Sequence, residues 1–290
     1  LTNREKVFLI DALRNKYKLN ELLPVLKLSK SSYCYQVQCI KSKDKYKELR
    51  QQIKELFMCN KEIYGYRRIH CLLRKDGIIV SEKIVRRIMN EEQLIVKAAR
   101  KRKYNSYKGE ITPEVDNIIK RDFSAKKPNE KWLTDVTEFK YYVGTEIRKL
   151  YLSAILDLYD RRIVTYKIME SNNNELVFST FDEAVRLNPD AHPIFHSDRG
   201  FQYTNKLFHQ KLTDAGMIQS MSHVGRCIDN GPMEGWWGIL KSEMYYLRKF
   251  ADKTKLISAI EEYITYYNTR RYQIKLSSMT PMEYHEAYAA

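Results

Sequence analysis

The chain has 290 residues, 43% of them hydrophobic, with 51 Lys and Arg against 36 Asp and Glu and a formal net charge of +15. That length supports one large domain or two to three smaller ones; no apolar run reaches a membrane span, and the opening Leu1-Thr2-Asn3-Arg4-Glu5 has no secretory apolar region. Five cysteines, Cys34, Cys39, Cys59, Cys71 and Cys227, are odd in number and form no CxxC pair, which suits a reducing cytoplasm. Residues 1–110 hold 27 Lys and Arg against 12 Asp and Glu, and the remainder holds 24 against 24, so the whole positive excess is N-terminal. A basic part joined to a neutral part predicts that one grips a polyanion while the other does a separate task.

In chain order, Val7, Ile10, Leu13 and Tyr17 recur at helical spacing, and with Leu22–Leu26 and Ser29–Tyr35 they predict a short helical segment over residues 1–43. Asp44 can cap a helix through Met58 with Tyr46, Leu49, Ile53 and Phe57 inward. A second helix follows Tyr64-Gly65-Tyr66-Arg67-Arg68-Ile69 and ends near Gly77. A third, capped by Ser81, sets Lys83, Arg86 and Arg87 opposite Ile84, Val85 and Ile88. Helix, glycine-containing turn, basic helix over 44–103 is the order of a helix-turn-helix DNA-binding domain, and equally of a three-helix bundle with a solvated basic face. Lys97-Ala98-Ala99-Arg100-Lys101-Arg102-Lys103 adds five cations in seven residues, which favours phosphate contacts over base reading. Residues 104–128, with Pro113 and Pro128, form a linker.

From about Asn129 the pattern changes. Strands near 132–142, 148–158 and 162–169 precede any helix; helix 173–187, strand 193–198, helix 204–215, strand 217–222 and helix 232–246 then alternate. Lys255–Tyr267 forms a further helix, Asn268–Ser278 an Arg- and Tyr-rich turn, and Thr280-Pro281-Met282-Glu283 a capping box before a last short helix. His192 and His196 lie four apart in a Pro-containing strand without a cysteine pair, which predicts structural histidines and no zinc site.

Three acids stand out in this second part. Asp135 sits in the aromatic and β-branched run Trp132-Leu133-Thr134-Asp135-Val136-Thr137-Glu138-Phe139, where a strand carries an acid into a core. Asp198 ends the apolar run from Pro193, at a strand tip where sites gather in α/β folds. Glu234 follows the helix start Asp229-Asn230-Gly231-Pro232, and Lys241 shares its helix face. Converging carboxylates repel one another unless a cation neutralises them, and oxygen-only ligands favour Mg²⁺ or Mn²⁺.

Asp198 and Glu234 have 35 residues between them, and Lys241 follows seven after the glutamate. This spacing resembles the D,D(35)E core of retroviral integrases and insertion-sequence transposases. Trp132–Phe139, His196-Ser197-Asp198-Arg199-Gly200-Phe201-Gln202-Tyr203-Thr204, Asp229–Glu234 and Leu240-Lys241-Ser242-Glu243 together resemble the second-reading-frame transposase of a large bacterial insertion-sequence family. The resemblance covers nearly the whole chain, and Tyr64–Ile69 resembles the family's helix-turn-helix. Gly231, Gly235-Trp236-Trp237 and His223 depart from the residues usual there; none is one of the three acids.

The resemblance implies an α/β fold: a ribonuclease H-like catalytic core over 129–250, a mixed five-stranded sheet with helices, preceded by an all-α helix-turn-helix region and followed by a helical tail, 251–290. It implies that the first and fourth strands are neighbours, bringing Asp135 and Asp198 together, and that Asp135, Asp198 and Glu234 are both catalytic residues and ligands of two Mg²⁺ or Mn²⁺ ions. Expected DNA contacts are Lys241, Arg67, Arg68, Lys83, Arg86, Arg87, Arg100, Lys101, Arg102 and Lys103. The implied activity is cleavage of the element's ends and transfer of their 3′-hydroxyl strands. Expected partners are double-stranded DNA at the terminal inverted repeats and the target, a second copy of the chain on DNA, and an upstream frame-fused helix-turn-helix and leucine-zipper segment. The alternative reading is a DNA-binding protein without catalysis, either a regulatory fragment or a decayed transposase; the three intact acids argue against decay.

Overall fold

A computed structural model describes residues 1–41, 44–97, 115–223 and 227–288. The chain divides into two compact units, Leu1–Glu55 and Leu56–Ala290. The first holds three helices, α1 (Asn3–Leu13), α2 (Leu19–Val25) and α3 (Lys30–Lys41), and the start of α4 (Lys47–Cys59). Thr2 and Glu5 close a capping box at α1, and Val7, Ile10, Leu22, Leu23, Leu28 and Tyr33 form the unit's core. One predicted helical segment is therefore three helices. The break after α2 passes through Lys27, whose φ of 49° takes the chain out of the helix.

The second unit begins with the end of α4 and contains α5 (Tyr66–Lys75) and α6 (Glu82–Glu91). Gly77, at φ +78°, turns the chain after α5, and Ser81 caps α6 through the Ile84 N–H. The apolar faces meet through Ile69 and Leu73 on α5 and Val85, Ile88 and Met89 on α6.

A five-stranded sheet of order β3-β2-β1-β4-β5 follows. β1 (Lys131–Val143), β2 (Glu146–Asp157) and β3 (Ile163–Met169) form an antiparallel meander, while β4 (Ile194–Ser197) and β5 (Ile218–Met221) are parallel to β1. α7 (Asn174–Leu187) and α8 (Lys206–Asp214) connect these strands, and α9 (Gly231–Leu240) comes after the sheet. This is the ribonuclease H-like order, with the first and fourth strands adjacent as expected. Alternate residues of β1 enter different cores. Leu133 and Phe139 pack with Met233, Trp236 and Leu240 of α9, whereas Trp132 packs with Phe181, Phe195 and Phe208.

The predicted helix 232–246 ends as an α-helix at Leu240 and continues as a π-helical turn, Lys241–Tyr245. α10 (Lys253–Thr269) and α11 (Pro281–Tyr288) complete the chain, with the Thr280–Glu283 capping box formed as predicted. Among the described residues no helix is long and apolar enough to cross a membrane.

The segment around α10 and α11 holds α5 through named contacts. Tyr64 donates to the Arg270 carbonyl at 2.7 Å and accepts from the Tyr272 N–H at 3.1 Å, and Lys75 bonds Glu283. Glu243, in the π turn, accepts two bonds from Arg271, at 2.9 and 2.8 Å, one from Tyr263 at 2.8 Å and a longer one from Arg68 at 3.4 Å. Burial works against its charge, yet the Arg271 guanidinium holds the carboxyl below its usual range. Removing one partner of a buried ion pair strands the other. Arg271→Ala should therefore destabilise the protein by about 3–5 kcal/mol in urea unfolding, and a loss near zero would show that Glu243 finds another cation.

Candidate active site

β1 and β4 are hydrogen-bonded over three pairs, Lys131 with Ile194, Trp132 with Phe195 and Leu133 with His196. Continuing that parallel register two residues along each strand sets Asp135 beside Asp198, just past the end of the ladder. Side chains repeat every second residue, so Asp135 lies on the sheet face of Leu133, the face covered by α9. Glu234 is in the first turn of α9, where the helix dipole favours a negative charge.

Both aspartates are oriented by protein donors. Asp135 accepts from the Val136 N–H at 2.7 Å through one oxygen and from the Trp237 indole N–H at 3.0 Å through the other. Asp198 accepts from the Gly200 N–H at 2.9 Å. A Cβ at Gly200 would stand 3.1 Å from the same Asp198 oxygen, so the absence of a side chain there lets the loop close on the acid. Burial, then the nearby Asp198 charge, with Glu234 adding to both, pushes the Asp135 carboxyl far above the usual carboxylate range. Burial likewise raises Asp198. Two such acids ionise together only with positive charge between them.

Among the described residues no three His, Cys, Asp or Glu side chains already stand at metal-ligating separations. Asp135 and Asp198 are instead turned onto Trp237, Val136 and Gly200. The donor chemistry fits a hard divalent cation: oxygen ligands only, raised carboxyl pKa values and mutual repulsion of the acids. The side chains must rotate to converge on it.

A second layer fixes the strand ends. His196, fully buried, bonds Ser220 at 2.8 Å through Nδ1, and Ser222 at 3.2 Å and the Asp229 carbonyl at 3.1 Å through Nε2. It is the structural histidine that the sequence predicts. Asp229 accepts from Arg121 at 2.7 Å, from the His223 backbone and ring at 3.1 and 2.8 Å, and from Asn117 at 3.1 Å. Although burial pushes its carboxyl up, Arg121 and His223 hold it down to about 2. Asn230 donates to the Thr134 carbonyl at 3.0 Å, tying the start of α9 to the residue before Asp135. Tyr203, beneath the acids, bonds Thr134 at 3.2 Å.

Residues 125–227 and 234–287 match two integrase core domain families, and residues 44–104 match an HTH-like domain. InsK of Escherichia coli (strain K12), assigned as the transposase of insertion sequence element IS150, is 40% identical over 277 residues, which is 95% of this chain and 96% of InsK. A Shigella flexneri protein assigned as the transposase of IS1353 is 42% identical over 99% of this chain, which spans 56% of that longer relative. The chain belongs to the insertion-sequence transposases. Among solved structures, the HTLV-2 integrase catalytic core domain in complex with magnesium is similar, with 22% identity, a TM-score of 0.43, and 55% of this chain and 97% of that chain covered.

The other expected contacts of this transposase fall in different places. Lys241 donates to Thr137 at 2.6 Å and sits 5.2 Å from the Phe139 ring centroid, two residues beyond Asp135 on the same face of β1. Burial lowers its ammonium pKa, while Asp135 and Glu138 support its charge. Arg67, Lys83, Arg86 and Arg87 are exposed on α5 and α6; Arg67 pairs with Glu82 and Arg87 with Glu91. Arg68 turns inward to Glu243 and the Tyr64 ring. Arg100, Lys101, Arg102 and Lys103 lie outside the described residues.

Trp237 is the site residue that the sequence analysis does not single out. The available signal was its spacing, since Glu234, Trp237 and Lys241 stand at i, i+3 and i+7, and a buried indole N–H needs an acceptor.

His196 yields a pH test. Burial pushes its imidazole down to about 4 from an unfolded value near 6.5. The unfolded chain therefore binds the extra proton in the window between these values, and stability rises with pH across it. The contribution is in place above about 6.5 and is lost, by about 3 kcal/mol, as pH falls toward 4. The difference in urea-unfolding free energy between wild type and His196→Gln should follow this slope, since the raised Asp135 and Asp198 act in the opposite direction in both proteins and cancel.

Proposed function

We propose that this transposase cleaves phosphodiester bonds at the ends of its insertion sequence and transfers the freed 3′-hydroxyl strands to DNA, with Asp135, Asp198 and Glu234 as the catalytic acids. The observation that carries this reading is the β1–β4 register, which sets Asp135 beside Asp198 with the Glu234 charge close enough to raise the Asp135 pKa. Asp135, Asp198 and Glu234 would hold two Mg²⁺ or Mn²⁺ ions, which would supply Lewis-acid activation of an attacking water or hydroxyl and charge neutralisation at the leaving oxygen.

The chain's own residues do the positioning. The Trp237 indole and the Val136 amide hold Asp135 on the α9 face, and the Gly200 amide holds Asp198 at its strand tip. Lys241, anchored on Thr137, presents a cation along the strand from Asp135, where it contacts a DNA phosphate or base beside the reacting bond. The exposed cations of α5 and α6, with Arg100, Lys101, Arg102 and Lys103, supply sequence-independent phosphate contacts. The partners are double-stranded DNA at the element ends and target, in the bacterial cytoplasm, engaged by more than one copy of the chain. An upstream segment translated by frame fusion would add a further helix-turn-helix and a leucine zipper.

Asp135→Asn, Asp198→Asn and Glu234→Gln should each cut strand cleavage and joining of element-end oligonucleotides in Mg²⁺ by more than about 10²–10³-fold. Affinity for the same DNA should change only a few-fold. Loss of binding in parallel with cleavage, or retained cleavage in any one variant, would reject the assignment, and a wild type that binds without cleaving would favour the non-catalytic reading.

Proton linkage gives an independent check. Because Asp135 and Asp198 titrate above the usual range, Mg²⁺ binding at neutral pH should release protons, and its affinity should rise with pH. Calorimetry in two buffers of different ionisation enthalpy measures the release, and the same heat in both buffers would mean that the acids are already ionised.

A further inference from the structure

β4 covers the edge of β1 only as far as Leu133. Farther along, the segment after α9 takes over that edge. The Tyr245 hydroxyl accepts from the Lys140 N–H at 2.8 Å and donates to the Lys140 carbonyl at 2.9 Å, and the Tyr142 N–H donates to the Phe250 carbonyl at 2.8 Å. Beside these clamps lies a pocket of about 350 Å³.

Its lining is cationic and aromatic together. Lys140, Lys241, Arg248 and Lys249 face it against one carboxylate, Glu138, which Lys149 already pairs at 2.9 Å. The other lining residues are Tyr142, Tyr245, Tyr246 and Phe250. Tyr245 and Phe250 lie nearly parallel, 5° between planes and 6.0 Å between centroids, and Phe139 braces Tyr245 edge-on at 5.0 Å. That gives a rigid floor. Tyr142 and Tyr246, by contrast, are 37% and 42% exposed, so their rings are open to a ligand.

Cations select negative charge, and flat exposed rings select a π face. A planar ring carrying a phosphate satisfies both. The volume is at the low end of the roughly 300–1,000 Å³ of ligand pockets, room for a single nucleotide and too little for a duplex. Lys241 lines this pocket while its Nζ is held on Thr137, two residues from Asp135, so the pocket and the acids meet at one side chain.

We infer that this pocket receives one unpaired nucleotide of the DNA strand, its base against Tyr142 and Tyr246 and its phosphate among Arg248, Lys249 and Lys241, beside the phosphodiester presented to Asp135. The inference deepens the transposase reading by naming a single-stranded DNA subsite next to the acids. Extruding one base from a duplex costs a few kcal/mol, which stacking on the tyrosines offsets.

The test uses the full chain and a short single-stranded oligonucleotide carrying 5-iododeoxyuridine, with no need for the element's end sequence. Irradiation followed by mass spectrometry should place the cross-link on Tyr142 or Tyr246. Tyr142→Ala with Tyr246→Ala should weaken binding of the strand roughly 10-fold or more, whereas Tyr246→Phe, which keeps the ring, should not. A cross-link mapped elsewhere would overturn the inference. So would tyrosine variants that bind normally while Arg248→Gln and Lys249→Gln do not, since that result describes a phosphate groove without a base site. Cross-linking at the tyrosines in a protein that cleaves no element-end DNA would reject the catalytic reading and leave the pocket standing, and cleavage with cross-links elsewhere would do the reverse.

Discussion

Three backbone pairs between β1 and β4 decide where the chemistry can be. Because the ladder is parallel and stops at Leu133 and His196, the next side chains on the α9 face, Asp135 and Asp198, fall side by side where β1 and β4 no longer pair. A slip of one residue would send one acid to the other face of the sheet. The register is held from both faces. Trp132 and Phe195, directly paired, are buried in one core, and Leu133 enters the other. The apolar pattern of two strands thus creates an electrostatic cost, two like-charged carboxylates held at neighbouring strand positions, that a bound cation or a proton relieves.

Around that point the polar residues divide by what they hold. His196 and Asp229, both buried, link β4 and β5 to the turn leading into α9, so the strand tip bearing Asp198 and the helix bearing Glu234 share one hydrogen-bonded frame. Arg121 and Asn117 bring the chain preceding the core into the same frame through Asp229. Asn230 then fixes the start of α9 on β1. None of these residues needs to touch DNA to matter, because a small displacement of either backbone would separate the acids.

The regular parts of this arrangement were legible in the sequence, because strands and helices announce themselves by period and by caps. The run Trp132–Phe139 alternates and became β1, Ser81 caps α6, and Thr280 with Glu283 closes its box before α11. The acids stood out because polar residues at strand ends are rare without a purpose. What stayed hidden depends on contacts between residues far apart in sequence. Nothing around Tyr64 announces that its hydroxyl ends on Arg270, and nothing in Arg67-Arg68 says that one guanidinium faces outward while its neighbour turns to Glu243. The π turn at Lys241 is also invisible to a 3.6-residue period, since it is set by how Tyr245 clamps Lys140 and how Arg271 draws in Glu243.

That π turn ties the two halves of the positive charge together. The N-terminal excess suggests a basic module separable from the neutral core, yet α5 and α6 belong to the same compact unit as the sheet. Arg68 and Lys75, counted in that excess, bond Glu243 and Glu283 of the C-terminal part. Part of the formal charge therefore holds the unit together, while Arg67 on α5 and Lys83, Arg86 and Arg87 on α6 remain exposed. Within the single residue stretch Lys241–Tyr245, Lys241 faces Thr137 near the acids, Glu243 faces Arg68 and Arg271, and Tyr245 floors the pocket. A regular α-helix would set residues 241 and 245 on one face and 243 well round from it. The π turn keeps that division, with Lys241 and Tyr245 both on β1 and Glu243 turned to Arg68, Tyr263 and Arg271, so the stretch after α9 reaches β1, α5 and α10 with three neighbouring side chains. Arg68 of α5 thus meets the stretch at Glu243, two residues from the lysine that bonds Thr137 on β1.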